Sequence, residues 1–352
     1  AHGFARDMDF ELLDRKDESA AFALRDSEES WRYFPFHFVL EISYQLEKNG
    51  IHVTWNIKLD INMKGLKIVV LAKQVPDTRN VGKDAMKADG TVNRAALPAI
   101  FNPEDLNALE QALRLKDTIE GTTVHVLTMG PGRAAEIIRE AMYRGADGGY
   151  LLSDRAFAGS DTLATSYALS CALRNLEYDL IICGRQAIDG DTAQVGPQVA
   201  EKLALPQVTY AEEIQGCDGK IVTIKRRLER GIEVVTCPMP CVVTVNGSAA
   251  PCRPRNARFV MKYKNAKGTQ EAQDANEDYF ALVNERPYLK LTEWSVNDIQ
   301  SNPEDLGLSG SPTKVKNIES VVFQAKEAKV LTGTDAELDA MMKELITNHT
   351  IG

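Results

Sequence analysis

"YDLIICGRQAIDGDTAQVGPQVAEKL", residues 178–203, decides how the rest of the chain is read. Leu180 to Cys183 form a continuous apolar run, the mark of a strand buried on both faces of a parallel sheet. A turn rich in Gly and Asp follows, and an amphipathic helix begins at about Val195 and runs to Leu205. Strand, glycine-rich turn and helix make a βα unit whose helix start offers unpaired N–H groups to an anion. Gly184, Gly190 and Gly196 let the backbone come close to a ligand, and Gly190 is a candidate for positive φ. Thr192 and Gln194 add donors, while Asp189 or Asp191 either holds a ribose hydroxyl or caps the helix.

The same unit recurs upstream. "LKIVVLAKQV" (66–75) reads as a buried strand, and "FNPEDLNALEQALRLKD" (101–117) as a helix. Asn102 is placed to cap that helix, Pro103 suits its first position, and Glu104 and Asp105 favour the positive end of its dipole. Leu106, Leu109 and Leu113 form its apolar stripe. "TTVHVLTMG" is a strand ending at Met129 and Gly130, and its helix runs through Ile137, Ile138 and Ala141. "GGYLLSD" is a strand, followed by a helix over 162–176. Four βα units predict an α/β fold with a doubly wound, mainly parallel sheet. After Pro206 the regularity drops: "KIVTIKRRLERGIEVVTC" predicts a hairpin turning near Arg230-Gly231, and "PCVVTVN" a further strand. Residues 262–278 are polar and read as a mobile surface connection, 307–316 as loop, and 334–347 as a closing helix.

Residues 1–62 follow another pattern. Four strand-like runs end in "FHFVLEISYQLE" and "IHVTWNIKLDI", joined by "KNG" (48–50), where Asn-Gly predicts a positive-φ hairpin turn. The expected division is a β-rich segment over 1–62, a nucleotide-binding domain over 63–250 and a C-terminal extension over 251–352. The first residue is Ala, which points to processing or a fragment.

The formal net charge of −9 argues against a nucleic-acid binder, and no apolar run reaches the ~18 residues of a membrane span. No charged-then-apolar leader is visible. None of the six cysteines forms a CxxC or has a His at zinc spacing, so "CPMPC" (237–241) reads as structural and the chain as cytoplasmic. Cys183 reads as a buried small hydrophobe, His125 as a packed residue and His349 as solvated.

Four glycine-containing loops at one edge of a sheet point to nucleotide, although none matches GxGxxG or GxxxxGK[ST]. No acid–base constellation accompanies them, so the expectation is a cofactor holder in which the cofactor supplies the reactivity.

From Met63 onward the chain resembles the beta subunit of electron-transfer flavoproteins. The resemblance is carried by "KIVVLAKQVPDT", "NPEDLNALEQALRLK", "GPGRAAEIIREAMYRGAD", "SDRAFAGSDTLATS" and "LIICGRQAIDGDTAQVGPQVAE", in the family's order. It implies an adenine-nucleotide site using Leu71, Asn102, Pro103, Glu104, Asp105, Met129, Gly130, Gly184, Arg185, Gln186, Ala187, Ile188, Asp189, Gly190, Asp191, Thr192, Ala193, Gln194, Val195 and Gly196. It also implies a heterodimer with an alpha subunit, embraced by the C-terminal arm. "DRAFAGSDTLATS", "DGDTAQVG" and the tail are similar to the electron-bifurcating group. There the beta site holds FAD, NADH is the electron donor, and the acceptors are ferredoxin or flavodoxin and an acyl-CoA dehydrogenase. In simple members the site holds AMP. The family's partner-recognition loop has a Leu before an "EPRY"-like stretch; here Ala249 takes that place while Arg253 matches, which implies an altered dehydrogenase contact. Arg230 stands where an acidic residue is common.

"HGFARDMDFELL" and "YFPFHFVLEISYQLEKNGIHVTWNI" resemble an interior piece of an aldose 1-epimerase (galactose mutarotase-like) protein, with His2 matching a sugar-site His. The rest of that family's catalytic set does not follow, so no epimerase activity is expected and Met63 is the expected functional start. A redox-silent adenine-nucleotide module of the universal-stress type is the rival reading, and it leaves the hairpin and tail after residue 215 without a role.

Overall fold

The structure, a computed structural model, describes residues 4–27, 29–30, 38–59, 65–77, 98–273, 277–313 and 330–347; His2, Met63 and His349 lie outside them. The chain divides into two units, Ala1–Ala85 with Asn93–Val315, and Met86–Val92 with Lys316–Gly352.

The first unit opens with β1 (Glu11–Lys16), β2 (Ser19–Arg25), β3 (Phe38–Glu47) and β4 (Gly50–Leu59), an antiparallel sheet in sequence order. Leu24, Phe38, Leu40 and Ile42 form a small core with Ala5, Met8 and Phe10. Glu47 pairs with Gly50, so the hairpin loop is Lys48-Asn49, and neither Asn49 nor Gly50 takes a positive φ. The expected Asn-Gly turn is therefore displaced. Cross-strand pairs such as Ile42–Trp55 and Tyr44–Val53 set the register, and that register draws Gly50 into the strand.

Next come β5 (Lys67–Leu71), a ribbon of β6 (Gln74–Pro76) and β7 (Ala99–Phe101), α1 (Pro103–Thr118), β8 (Thr123–Met129) and α2 (Ala135–Met142). They are followed by β9 (Gly148–Leu152), α3 (Thr162–Leu173), β10 (Leu180–Gly184) and α4 (Val195–Leu203). The strands β11 (Gln207–Cys217), β12 (Ile221–Leu228), β13 (Gly231–Pro238) and β14 (Cys241–Val245) come after these. α5 (Ala257–Tyr263), α6 (Thr269–Ala272), α7 (Glu277–Glu285) and β15 (Thr292–Trp294) close the described part of the unit. In the second unit, α8 (Asp335–Thr347) has no buried residue.

Nine strands form one sheet in the order β13-β12-β11-β14-β10-β5-β8-β9-β15. β11 through β15 in that order are parallel to their neighbours, and β12 and β13 add an antiparallel ribbon at one edge. From β5 the chain winds outward to β8 and β9, then returns to the other flank of β5 as β10. The switch point of the sheet therefore lies between β5 and β10. Alternation along the strands covers both faces. Ile68, Val70, Val126 and Ile182 pack with Ala108, Leu109, Ala112 and Leu113 of α1. Val69, Leu71, Leu127 and Ile181 pack with Ala168 and Leu169 of α3 and Val199 and Ala200 of α4.

One expectation gives way here. Residues 262–278 are not a loose connection where they are described: they carry the end of α5, α6 and the start of α7. Arg139 of α2 donates to both carboxylate oxygens of Glu271 at 2.7 and 2.9 Å and to the carbonyl of Ala266 at 3.0 Å. Tyr263 and Ala266 pack with Ile138 and Met142. Polar composition misled because the polar groups find partners more than 100 residues away. β15 pairs with β9 and ties the helices between them to the sheet. Ala249 is buried and its carbonyl accepts from Asn107, while Arg253 pairs with Glu110 and Asp117. His125 is half-buried beside the ring of Tyr150.

Candidate functional site

At the carboxyl ends of β5 and β10 lies a cavity of about 390 Å³. One wall is apolar: Leu71, Leu127 and Met129 from the strands, then Phe157 and Leu169. The opposite wall is the turn from Gly184 to Gln194 and the start of α4. Most of the residues expected at a ligand site line this one space: Leu71, Asp105, Met129, Gly184 to Ala187 and Gly190 to Gly196.

Asn102, Glu104 and Asp105 work on the turn itself. The Asn102 side chain donates to the carbonyl of Gln186 at 2.9 Å and accepts from the N–H of Ile188 at 3.1 Å. It occupies the N-cap position of α1 without making a capping bond, so the expected cap is replaced by a clamp on a loop some 85 residues distant. Glu104 accepts from the N–H of Gln186 at 2.9 Å and from the Arg185 guanidinium at 3.1 Å. Asp105, 6 % exposed, accepts from the N–H of Lys73 at 2.9 Å and of Gly184 at 3.0 Å, joining the ends of β5 and β10. Burial pushes its carboxyl up to about 7, against the lowering effect of these donors and of Asn102. Burial also raises the thiol of the neighbouring Cys183 far above its ordinary range. Pro103 opens α1, and Gly130, Ile188 and Asp189 stand outside the cavity lining.

The turn differs from its sequence reading in three ways. Asp189 does not cap α4; both its oxygens accept from Lys73 Nζ, at 2.8 and 2.9 Å. Asp191 does not cap it either, and accepts from Gln186 Nε2 at 2.9 Å. The positive φ values fall on Asp191 (49°) and Ala193 (54°), not on Gly190, around which a Cβ would meet nothing within 4 Å. A left-handed alanine is uncommon and costs on the order of 1 kcal/mol, and such strain persists where the surroundings over-determine it. Gly184 and Gly196 are needed for close packing. A Cβ on Gly184 would come to 2.7 Å from the Glu104 carbonyl carbon, and one on Gly196 to 2.7 Å from the Thr244 methyl.

Sequence reasoning passed over Lys73 and residues 159–162 as site residues, and all of these line the cavity. The signal was present: Asp161 before Thr162 is an N-cap signature, and its carboxylate accepts from the N–H groups of Leu163 and Ala164. Thr313 donates to the same carboxylate, and Thr162 donates to Gln194 at 2.8 Å, joining the start of α3 to the turn before α4. Desolvation alone would raise the Asp161 carboxyl, but the donors from Thr313, Ala164 and Leu163 hold it below its usual range.

The space suits a nucleotide. Cofactor sites are mostly apolar clefts of roughly 300–1,000 Å³ with a few aimed polar groups. α4 has no side-chain cap, and its first internal bond runs from Gln198 to Gln194, so the amides of its first turn are available to an anion. The apolar wall can take a ring. Among the described residues no group of three or more His, Cys, Asp or Glu is arranged to hold a metal ion, and no helix is long and apolar enough to cross a membrane.

A parallel α/β unit with a nucleotide-sized cavity at its switch point is the class that fold and site define. The family model for the electron transfer flavoprotein domain matches residues 89–277. The electron transfer flavoprotein subunit beta of Thermoanaerobacterium thermosaccharolyticum is 40% identical over 287 residues, 81% of this chain and 100% of that protein. The acryloyl-CoA reductase electron transfer subunit gamma of Anaerotignum propionicum is 43% identical, over 81% of this chain and 100% of its own length. The caffeyl-CoA reductase-Etf complex subunit CarD of Acetobacterium woodii is 43% identical over 71% of this chain and 86% of its own. The chain belongs to the electron transfer flavoprotein family, as a beta subunit. A galactose mutarotase-like protein from Lactobacillus casei matches 17% of this chain at 36% identity, covering 20% of that protein with a TM-score of 0.16.

Proposed function

We propose that the cavity at the β5–β10 switch point holds the adenylate half of FAD, and that the chain works with an alpha subunit as an electron-bifurcating flavoprotein. The observation that carries the reading is the cavity itself, placed where a strained turn meets the uncapped start of α4. In this reading the α4 amides and Gln194 hold phosphate, and Leu71, Leu127, Met129 and Phe157 shield the ring system from water. Asn102, Glu104 and Asp105 keep the turn in its holding shape. FAD, when bound, would supply the redox chemistry, two-electron exchange with NADH and one-electron exchange with the acceptors. Two relatives are named for acryloyl-CoA and caffeyl-CoA reductase systems, which supports an acyl-CoA dehydrogenase as one acceptor; ferredoxin or flavodoxin would be the other.

The test is cofactor identity and stoichiometry in the purified complex with its alpha subunit. Two FAD per heterodimer, with NADH able to reduce the bound flavin, is the expected result. One FAD with one AMP would select the simple type of the family. Two FAD that NADH fails to reduce would also reject bifurcation, and an absence of nucleotide would reject the site.

A further inference from the structure

The N-terminal sheet has one apolar face and one polar face. Its register places Leu40, Ile42, Tyr44 and Leu46 of β3 opposite Ile57, Trp55, Val53 and Ile51 of β4, and opposed residues project to the same side. β2 continues that side with Phe22 opposite Ile42 and Leu24 opposite Leu40. The other side carries Glu41, Ser43 and Gln45, facing Asn56, Thr54 and His52. Met8 and Phe10 cover only the end of the apolar face around Leu24, Leu40 and Ile42. The remainder is open: Trp55 is 64% exposed, Ile57 65%, Ile51 62%, Leu46 52%, Val53 40% and Tyr44 39%. A contiguous apolar patch of this kind marks an interface.

We infer that this face packs against the same face of a second copy of the chain, so that two half-covered sheets close into one sandwich. Three observations select a second copy. The open side chains are uncharged, so two identical faces meet without like-charge repulsion. Six large side chains, each offering on the order of 100 Å² of open surface, give each copy close to the ~800 Å² per partner of a stable interface once their neighbours are included. Relatives are matched over their whole length by 81% of this chain, so a flavoprotein of this family is complete without the sheet. Such relatives meet their partner subunits without this sheet, whereas a second copy of this chain brings the same face. The two-fold arrangement is isologous and closes on itself. Sheets packed in this way lie about 10 Å apart with strands nearly aligned.

The experiment is the mass in solution of the full chain at micromolar concentration, alone and with the alpha subunit, by sedimentation or light scattering. The expected states are a discrete dimer and a dimer of heterodimers. Trp55→Lys and Ile57→Lys, at exposed positions that leave the small core untouched, should weaken self-association about thirty-fold or more, the effect of losing an interface anchor. Thr54→Lys, on the polar face of the same strand, should leave it unchanged. Trp55 emission should shift to the red on dilution through the dissociation range. A monomer at every concentration, an open-ended aggregate, a dimer indifferent to both apolar-face variants, or Trp55 shielded only when the alpha subunit is added would each overturn the inference. None of these readings depends on which nucleotide the cavity holds.

Discussion

At Gly184 there is no room for a side chain: the backbone of Glu104 and Asp105 lies within 2.7–2.8 Å of where a Cβ would stand. Gly184→Ala should lower stability by about 1–3 kcal/mol, as overpacking does, and release the bound nucleotide. Gly190→Ala, in open space without a left-handed backbone, should change stability by less than about 0.5 kcal/mol. Thermal melting and nucleotide content of the two variants check the contrast. Asp105 gives the site a pH signature. Burial raises its carboxyl to about 7, above the value near 4 of an unfolded chain. Between those limits the folded chain keeps a proton that the unfolded chain has released. Its contribution is therefore full below about pH 4 and is lost as pH rises through about 7. Denaturant unfolding of the wild type should show this decline, on the order of a few kcal/mol, and Asp105→Asn should flatten it. Equal slopes in the two proteins would remove Asp105 as the source.

Among the elements, the start of α1 organises the site more by holding its turn than by lining the cavity. Three polar residues around Pro103, Asn102, Glu104 and Asp105, hold the backbone of residues 184–188, and only Asp105 of them also lines the cavity. Beside α2, α6 is docked by the Arg139–Glu271 pair together with the Gln270 N–H, which donates to Glu293 at 3.0 Å. Arg139 is 12% exposed and Glu271 26%. Hydrogen bonds from Arg139 hold the Glu271 carboxyl below its usual range although burial works the other way. Arg139→Ala strands that carboxylate and should cost roughly 2 kcal/mol, less than a fully buried pair because solvent reaches both partners. Hydrogen exchange should rise over residues 257–273 while α1 stays protected. Uniform loss of protection would show that the pair supports the whole unit and not this docking alone.

For the whole molecule, the winding of the sheet is the decisive property. Four loops distant in sequence meet at one edge because β10 returns to the far side of β5. Among the described residues the N-terminal sheet shares no strand pairing with the large one. A chain beginning at Met63 should keep the proposed nucleotide and alpha-subunit binding, and should lose the proposed self-association. Loss of nucleotide on this truncation would mean that the small sheet supports the site.

Much of this was legible along the chain. Apolar runs of four or five residues marked β5 and β10, and a periodic stripe with Pro103 at its start marked α1, because burial on two faces or on one stripe imposes a period that sequence displays. Family motifs named the residues of the 184–196 turn. Three things were settled by tertiary structure alone: the loop partner of Asn102, the left-handed backbone at Asp191 and Ala193 in place of Gly190, and the docking of α6 through Arg139. Each depends on which groups the winding of the sheet brings within hydrogen-bond reach across 80 to 130 residues of chain. Periodicity reports the environment of a single element, whereas a polar contact needs two elements already in place.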